Sequence, residues 1–239
     1  MMTTSPFTAQ AETISKRLTS YEGYENEVLA NIENYVLADS TKQRFVLEQM
    51  LGKGHKLSSY TLHDRRIFTT QPLTFLCDTF TGSGKNTALL LGGTGSGKTL
   101  AALLYTATVA SYRRNEHGWV TNAGYVKAYD LAQAIADPKT DNNRKLLQMV
   151  RNKKYLVLDD LGAEPTGFRG NDFIAFFENL YDTRANYDRV TTITSNGTIE
   201  QLLEIYGQRF VSRLAENALI YSTSDKDLRV EGLTNVVGG

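Results

Sequence analysis

Cysteine is nearly missing from this chain: Cys77 is the one thiol among 239 residues. A lone cysteine cannot close an internal disulfide, so a disulfide-built secreted scaffold is excluded and a reducing compartment fits. Histidine is almost as scarce. His55, His63 and His117 have no partners at metal-ligand spacing, which argues against a zinc site. Net charge is absent as well: 26 Lys and Arg balance 26 Asp and Glu. A strongly basic coat for nucleic acid is therefore excluded, although a local basic path is not. No apolar run reaches membrane-spanning length, and Met1–Gln10 lacks the basic-then-apolar order of a signal peptide. The expectation is a cytoplasmic protein with no membrane partner. There are no internal repeats and no low-complexity tract. What remains, 41% hydrophobic and 22% charged, is the composition of an ordinary globular chain. Its length allows one large domain, or a medium domain with a small appendage.

The strongest positive signal is Gly92-Gly93-Thr94-Gly95-Ser96-Gly97-Lys98-Thr99. The apolar run Thr87-Ala88-Leu89-Leu90-Leu91 precedes it, and helix-forming Leu100-Ala101-Ala102-Leu103-Leu104-Tyr105 follows. This satisfies G-x-x-x-x-G-K-[ST] in the strand–loop–helix context that the pattern needs. Glycines keep the loop bare, so successive backbone N–H groups can turn toward phosphate oxygens. The helix behind the loop adds a favourable dipole for an anion, and Gly92 through Leu100 are the expected nucleotide-binding residues. Lys98 is expected to reach the β- and γ-phosphates of ATP, and the Thr99 hydroxyl to hold Mg²⁺. Gly82-Ser83-Gly84-Lys85-Asn86 resembles a second such loop. However, Asn86 stands where a hydroxyl is needed, and neither a strand before nor a helix after supports it, so it reads as a turn.

Two regions differ in texture. Up to about Phe68 the sequence is polar with a helical period. Val28, Leu29, Ile32, Tyr35 and Val36 form one stripe, Ile14, Leu18 and Tyr21 a weaker one, and Lys42–Leu51 is a third helix candidate ended by Gly52-Lys53-Gly54. Such a module can pack within the chain or on a partner. Gln71-Pro72 opens a short helix to about Phe80. From Thr87 onward apolar strands (Thr87–Leu91, Trp119–Val126, Tyr155–Leu158, Val190–Thr194, Ala218–Tyr221) alternate with helices (Lys98–Tyr112, Asp130–Ala136, Asn143–Arg151, Asn171–Ala185). Alternation of this kind predicts an α/β fold, a parallel sheet with helices on both faces.

Two of those strands end in chemistry. Tyr155-Leu156-Val157-Leu158 runs into Asp159-Asp160, and Val190–Thr194 runs into Ser195-Asn196. In a parallel sheet the carboxyl ends of the strands face the ligand crevice. Asp159 there would complete the magnesium shell, and Asp160 would orient or deprotonate the attacking water. Asn196 can donate to the γ-phosphate or hold that water.

Phosphate loop, Leu-Asp-Asp-Leu-Gly at 158–162, Thr-Ser-Asn at 194–196 and Gly207-Gln208-Arg209-Phe210-Val211-Ser212-Arg213-Leu214 follow in that order. Together they resemble the AAA+ ATPases of the DnaC/IstB group, helicase loaders and transposition helper ATPases, over about Thr70 to Arg229. The resemblance implies a three-layer P-loop NTPase fold and makes Asp159 and Asp160 the Walker B pair, with Asn196 as sensor 1. Arg213 matches the arginine finger, supplied to a neighbouring subunit, with Arg209 a turn earlier and Arg229 in a closing Asp-Leu-Arg motif. Residues four apart share a helix face, so Arg209 and Arg213 project together while Phe210 and Leu214 pack inward. Two departures stand out. The second Walker B acid is Asp160 where many AAA+ proteins carry Glu, which implies slow turnover. Too few residues follow Arg213 for a full C-terminal lid domain.

The resemblance thus predicts a helical N-terminal partner-binding module and linker over 1–68, an AAA+ domain over 69–229 and a flexible tail over 230–239. It implies an oligomeric ATPase that grips single-stranded DNA and loads a replicative helicase through its N-terminal helices. A transposition helper binding duplex DNA and a transposase shares every catalytic residue. A P-loop kinase of a small metabolite is a rival of another class, and a nucleotide-gated adaptor without turnover is a further one. For the DNA contact the sequence offers Lys53, Lys56, Arg65, Arg66, Arg113, Arg114, Lys153 and Lys154, unranked.

Overall fold

The structure is a computed structural model and describes residues 40–51, 71–115, 118–165, 167 and 171–223. The two earlier helical stripes, the Lys53–Arg66 segment and Arg229 lie outside the described residues. The five expected apolar runs become five strands: β1 (Thr87–Leu91), β4 (Ala123–Lys127), β5 (Tyr155–Asp159), β6 (Val190–Ser195) and β7 (Ala218–Ser222). A separate pair, β2 (Tyr112–Asn115) and β3 (Gly118–Thr121), stands between β1 and β4 in the chain. The main sheet runs β4-β5-β6-β1-β7 with every neighbouring pair parallel.

Side chains alternate across a strand, so each strand feeds two cores. Leu89 and Leu91 of β1 share one core with Leu156 and Leu158 of β5. That core is closed by α4 (Ala128–Ala136), α5 (Asp141–Asn152), α6 (Asn171–Asn186), α7 (Ile199–Tyr206) and α8 (Gln208–Asn217). Ala88, Leu90 and Val157 face the other core, under α1 (Ser40–Leu51), α2 (Gln71–Thr74, continuing as a π-helical stretch to Phe80) and α3 (Lys98–Val109). The result is the three-layer α/β sandwich the alternation predicts. Val46 and Leu47 of α1 are buried in the second core, where α1 lies against α3 and β4. Among the described residues no helix is long and apolar enough to cross a membrane.

Three local readings change. The helix expected over Lys98–Tyr112 stops at Val109, and the strand expected over Trp119–Val126 breaks at Asn122. Asn122 causes the break by bonding back across the hairpin: its Oδ1 accepts from the Ser111 amide at 2.9 Å, and its own amide donates to Ser111 O at 3.1 Å. An Asn side chain that satisfies local backbone competes with a continuous ladder. Thirdly, α7 is an extra helix, opened by a capping box in which Thr198 Oγ1 accepts from the Gln201 amide and Gln201 Oε1 accepts from the Thr198 amide. Gly82–Asn86 is a turn, as expected, with Ser83 Oγ donating to Phe80 O at 2.7 Å.

The amino-terminal end of the sheet is tied by one buried cation. Arg184 of α6 is 2% exposed. It donates to Thr191 Oγ1 (2.7 Å), Val150 O (2.7 Å), Lys153 O (2.9 Å) and Val190 O (2.6 Å). It thereby joins the end of α5 to the starts of β5 and β6. Burial, and Arg189 after it, pull its pKa down to about 9, so it remains charged at neutral pH. Each abandoned buried acceptor costs roughly 1–3 kcal/mol. We therefore expect Arg184→Ala to lower unfolding stability by about 3–5 kcal/mol in urea titrations. A loss under 1 kcal/mol would contradict this role.

Candidate active site

β1, β5 and β6 are neighbours in register, with Leu91 opposite Ser195 and Leu158 opposite Ile193. Their carboxyl ends therefore bring the glycine loop, the acid pair and Asn196 into one crevice. The loop turns through left-handed backbone at Gly95 (φ 84°) and Gly97 (φ 85°), which glycine adopts without steric cost. Gly92 is required for a second reason. A Cβ on it would lie 1.8 Å from Thr223 Oγ1, because the chain leaving β7 is held against β1 by Thr223 N donating to Leu91 O at 2.7 Å. Gly97 caps α3 with no side-chain bond to its first turn, so the leading amides of the helix are left for an anion.

Lys98 is buried, 5% exposed. Its Nζ donates to Gly92 O and Gly93 O, both at 2.7 Å, and to Ser96 Oγ and Asn196 Oδ1, both at 3.1 Å. Loop, lysine and sensor strand are thus one hydrogen-bonded unit. Next to it, Thr99 Oγ1 donates to Asp159 Oδ1 at 2.7 Å. Thr194 Oγ1 donates to the same oxygen at 2.6 Å, and Tyr125 OH donates to Oδ2 at 2.8 Å. Three hydroxyls therefore fix the orientation of this buried carboxylate.

Asp160 sits where the chain turns away, in the left-handed region (φ 58°), a conformation Asp tolerates better than most residues. Its amide donates to Thr194 Oγ1 at 3.0 Å, and its Oδ1 accepts from Asn196 Nδ2 at 3.2 Å. Burial and the Asp159 charge push its carboxyl above the usual range, while Lys127, Lys98 and the Asn196 bond pull it back. A carboxylate made more basic than usual and held by a donor suits a water-orienting base.

The phosphate-loop residues, Asp159, Asp160 and Asn196 are all brought together. Arg213 is not among them. On α8, Phe210 and Leu214 are buried and the two arginines stand on the outer side, as the spacing predicts. Arg213 Nη1 donates to Asp182 Oδ2 at 2.8 Å, and Arg209 lies 3.5 Å from Glu178 Oε2, both acids on α6. Tyr125 and Thr194 are the site residues that sequence reasoning missed. Thr194 lay inside a quoted motif, but Tyr125 had no local signal. Only the sheet order, which places β4 beside β5, sets it against the acid.

The donor set fits ATP with Mg²⁺. The amides at the start of α3 and Lys98 suit phosphate oxygens. The Thr99–Asp159 pair presents hard oxygen ligands of the kind magnesium takes while keeping waters and nucleotide oxygens. Among the described residues no group of three or more His, Cys, Asp or Glu could hold a metal without such help.

Fold and crevice together are those of a parallel α/β sandwich with a phosphate-type glycine loop, a buried lysine and an acid pair at the carboxyl ends of its strands. No protein-family model matches the sequence. No curated protein matches it. Solved structures do resemble it. A candidate primosome component from Streptococcus pyogenes serotype M3 superimposes with a TM-score of 0.51 at 17% identity, over 77% of this chain and 99% of that one. The DnaC helicase loader gives 0.46 at 22% identity, over 70% and 95%. AMPPCP-bound DnaA from Aquifex aeolicus gives 0.48 at 21%, over 64% and 47%. The chain thus spans about half the length of the DnaA structure and of the DNA replication initiation factor it matches. At these identities the likeness is one of fold.

Proposed function

We propose that this chain is an ATP-dependent helicase loader: an oligomer that binds ATP–Mg²⁺ and single-stranded DNA and delivers a replicative helicase to DNA. The observation that carries the nucleotide part is the convergence of Lys98, Thr99, Asp159, Asp160 and Asn196 in one hydrogen-bonded crevice. The order of motifs, and a fold shared with a candidate primosome component, support the loader reading. In this reading the loop amides and Lys98 bind the triphosphate, and Thr99 and Asp159 orient the metal. A metal held there would supply neutralisation of phosphate charge. Asp160 holds the attacking water and accepts its proton, while Asn196 fixes both Asp160 and Lys98. Arg213 is lent to the neighbouring protomer's phosphates. In this reading the N-terminal segment before α1 grips the helicase, since α1 itself is seated on the core.

Asp160→Asn separates binding from chemistry. It keeps the hydrogen-bond partner of Asn196 but removes the base. ATP affinity is expected to stay within about threefold, while single-turnover hydrolysis falls by about 10²–10⁴-fold. Hydrolysis at the wild-type rate would remove Asp160 from the mechanism. The partner is tested by affinity capture with the full chain and a replicative helicase. Recovery of a transposase and no helicase would contradict the loader reading.

A further inference from the structure

The end of the sheet away from the crevice carries an unbalanced set of cations. Arg151 stands in the last turn of α5, Lys153 and Lys154 lie between α5 and β5, and Arg189 leads into β6. In the stretches 150–154 and 184–191 the one acid is Asp188. Among the described residues none of these four cations pairs with a carboxylate. Instead Lys153 Nζ donates to Thr121 O, Lys154 Nζ to Asp188 O and Arg189 Nη1 to Arg151 O. These bonds go to neutral carbonyls and leave the charges uncompensated.

The cations border a groove. A cavity of about 510 Å³ opens at the foot of the β2–β3 hairpin, and Asn122, Met149, Asn152, Lys153 and Lys154 are among its walls. Gly124 lets this wall form, since a Cβ there would meet Met149 Sδ at 2.3 Å. Aromatic rings flank the same end. Tyr187 is 66% exposed, with the Arg189 guanidinium 4.9 Å from its ring centroid. Arg151 likewise lies over a ring, its guanidinium 4.8 Å from the Phe176 centroid. Unpaired cations with interleaved rings are what a single strand needs: charge along its backbone and π-faces for its bases. A duplex, with its bases already stacked, has no use for the rings.

We propose that this end is a groove for single-stranded nucleic acid, separate from the triphosphate crevice. It rests on the DNA-binding part of the loader reading and adds where the strand lies. Of the cationic candidates in the sequence it selects Lys153 and Lys154, and it adds Arg151 and Arg189.

The test is fluorescence anisotropy with the full chain and labelled oligo-dT across a salt series. Arg151→Gln combined with Lys154→Gln should weaken binding at least about tenfold and reduce the salt slope by about 1.4, at about 0.7 per lost phosphate contact. ATP affinity should be unchanged, which controls for folding. Photocrosslinking of iodouracil-substituted strand to the wild-type chain should label Tyr187. Wild-type oligo-dT affinity in the double variant, or crosslinks confined elsewhere, overturns the groove alone. A wild-type chain that binds no oligonucleotide overturns the groove and the DNA part of the loader reading together. Duplex bound as tightly as single strand, or displacement by polyglutamate as effective as by oligo-dT, also overturns it, the last in favour of an acidic protein partner.

Discussion

Lys98→Ala is expected to weaken ATP binding by at least about 100-fold and to abolish measurable turnover. The Lys98 ammonium is buried and donates to four neutral acceptors within 3.1 Å. Phosphate oxygens are charged acceptors. Each hydrogen bond to a charged group contributes roughly 1.5–3 kcal/mol, about twice a neutral one. Exchanging two loop carbonyls for two phosphate oxygens therefore gains a few kcal/mol that alanine cannot supply, and about 1.4 kcal/mol is a factor of ten. The same substitution removes the link from loop to Asn196, so the end of β6 loses its register with the loop as well. Equilibrium titration with a fluorescent ATP analogue checks the first effect, and phosphate release checks the second. Unchanged affinity and turnover would remove Lys98 from the site.

Arg213→Ala is expected to leave ATP affinity within about threefold and to cost 10³–10⁵ in hydrolysis, the range a finger in trans supplies. The pair that Arg213 makes with Asp182 does not oppose this. Exposed ion pairs contribute about 0.2–1 kcal/mol. Transition-state stabilisation of 10³–10⁵ corresponds to about 4–7 kcal/mol. The guanidinium can therefore leave Asp182 at small cost when a neighbouring protomer offers phosphate. The decisive form of the experiment is a mixture. Lys98→Ala protein has an intact Arg213, and Arg213→Ala protein has an intact crevice, so mixing the two should restore activity that neither shows. Wild-type turnover should also rise more than linearly with protein concentration. Failure of rescue, with both variants folded, would argue for a site complete within one chain and would favour a kinase-like reading.

The crevice was legible because its parts are local. The loop pattern, the apolar run into Asp159-Asp160 and the run into Ser195-Asn196 each occupy a few consecutive residues, and a parallel sheet aligns their ends by construction. Contacts made across the fold were not legible. Tyr125 meets Asp159 only because β4 lies next to β5, and strand order is not written in either segment. Asp182 and Glu178 meet the two arginines of α8 only because α6 packs beside it. Arg184 looks like any surface cation near a helix end until carbonyls of α5, of the turn before β5 and of β6 close over it. The hairpin escaped for a different reason. One Asn bonded back across the turn diverts the chain, and hydrophobic periodicity carries no trace of that bond. In α7 the Thr198–Gln201 pair was a readable start signal that the turn chemistry of Ser195-Asn196-Gly197 obscured.

The most direct test of the account is a crystal structure of the chain with a non-hydrolysable ATP analogue and Mg²⁺. The expected result places the β- and γ-phosphates on the amides of the Gly93–Thr99 loop and on Lys98 Nζ, with the metal between Thr99 Oγ1 and Asp159. A nucleotide bound elsewhere, or a loop whose amides turn away from its phosphates, would contradict it.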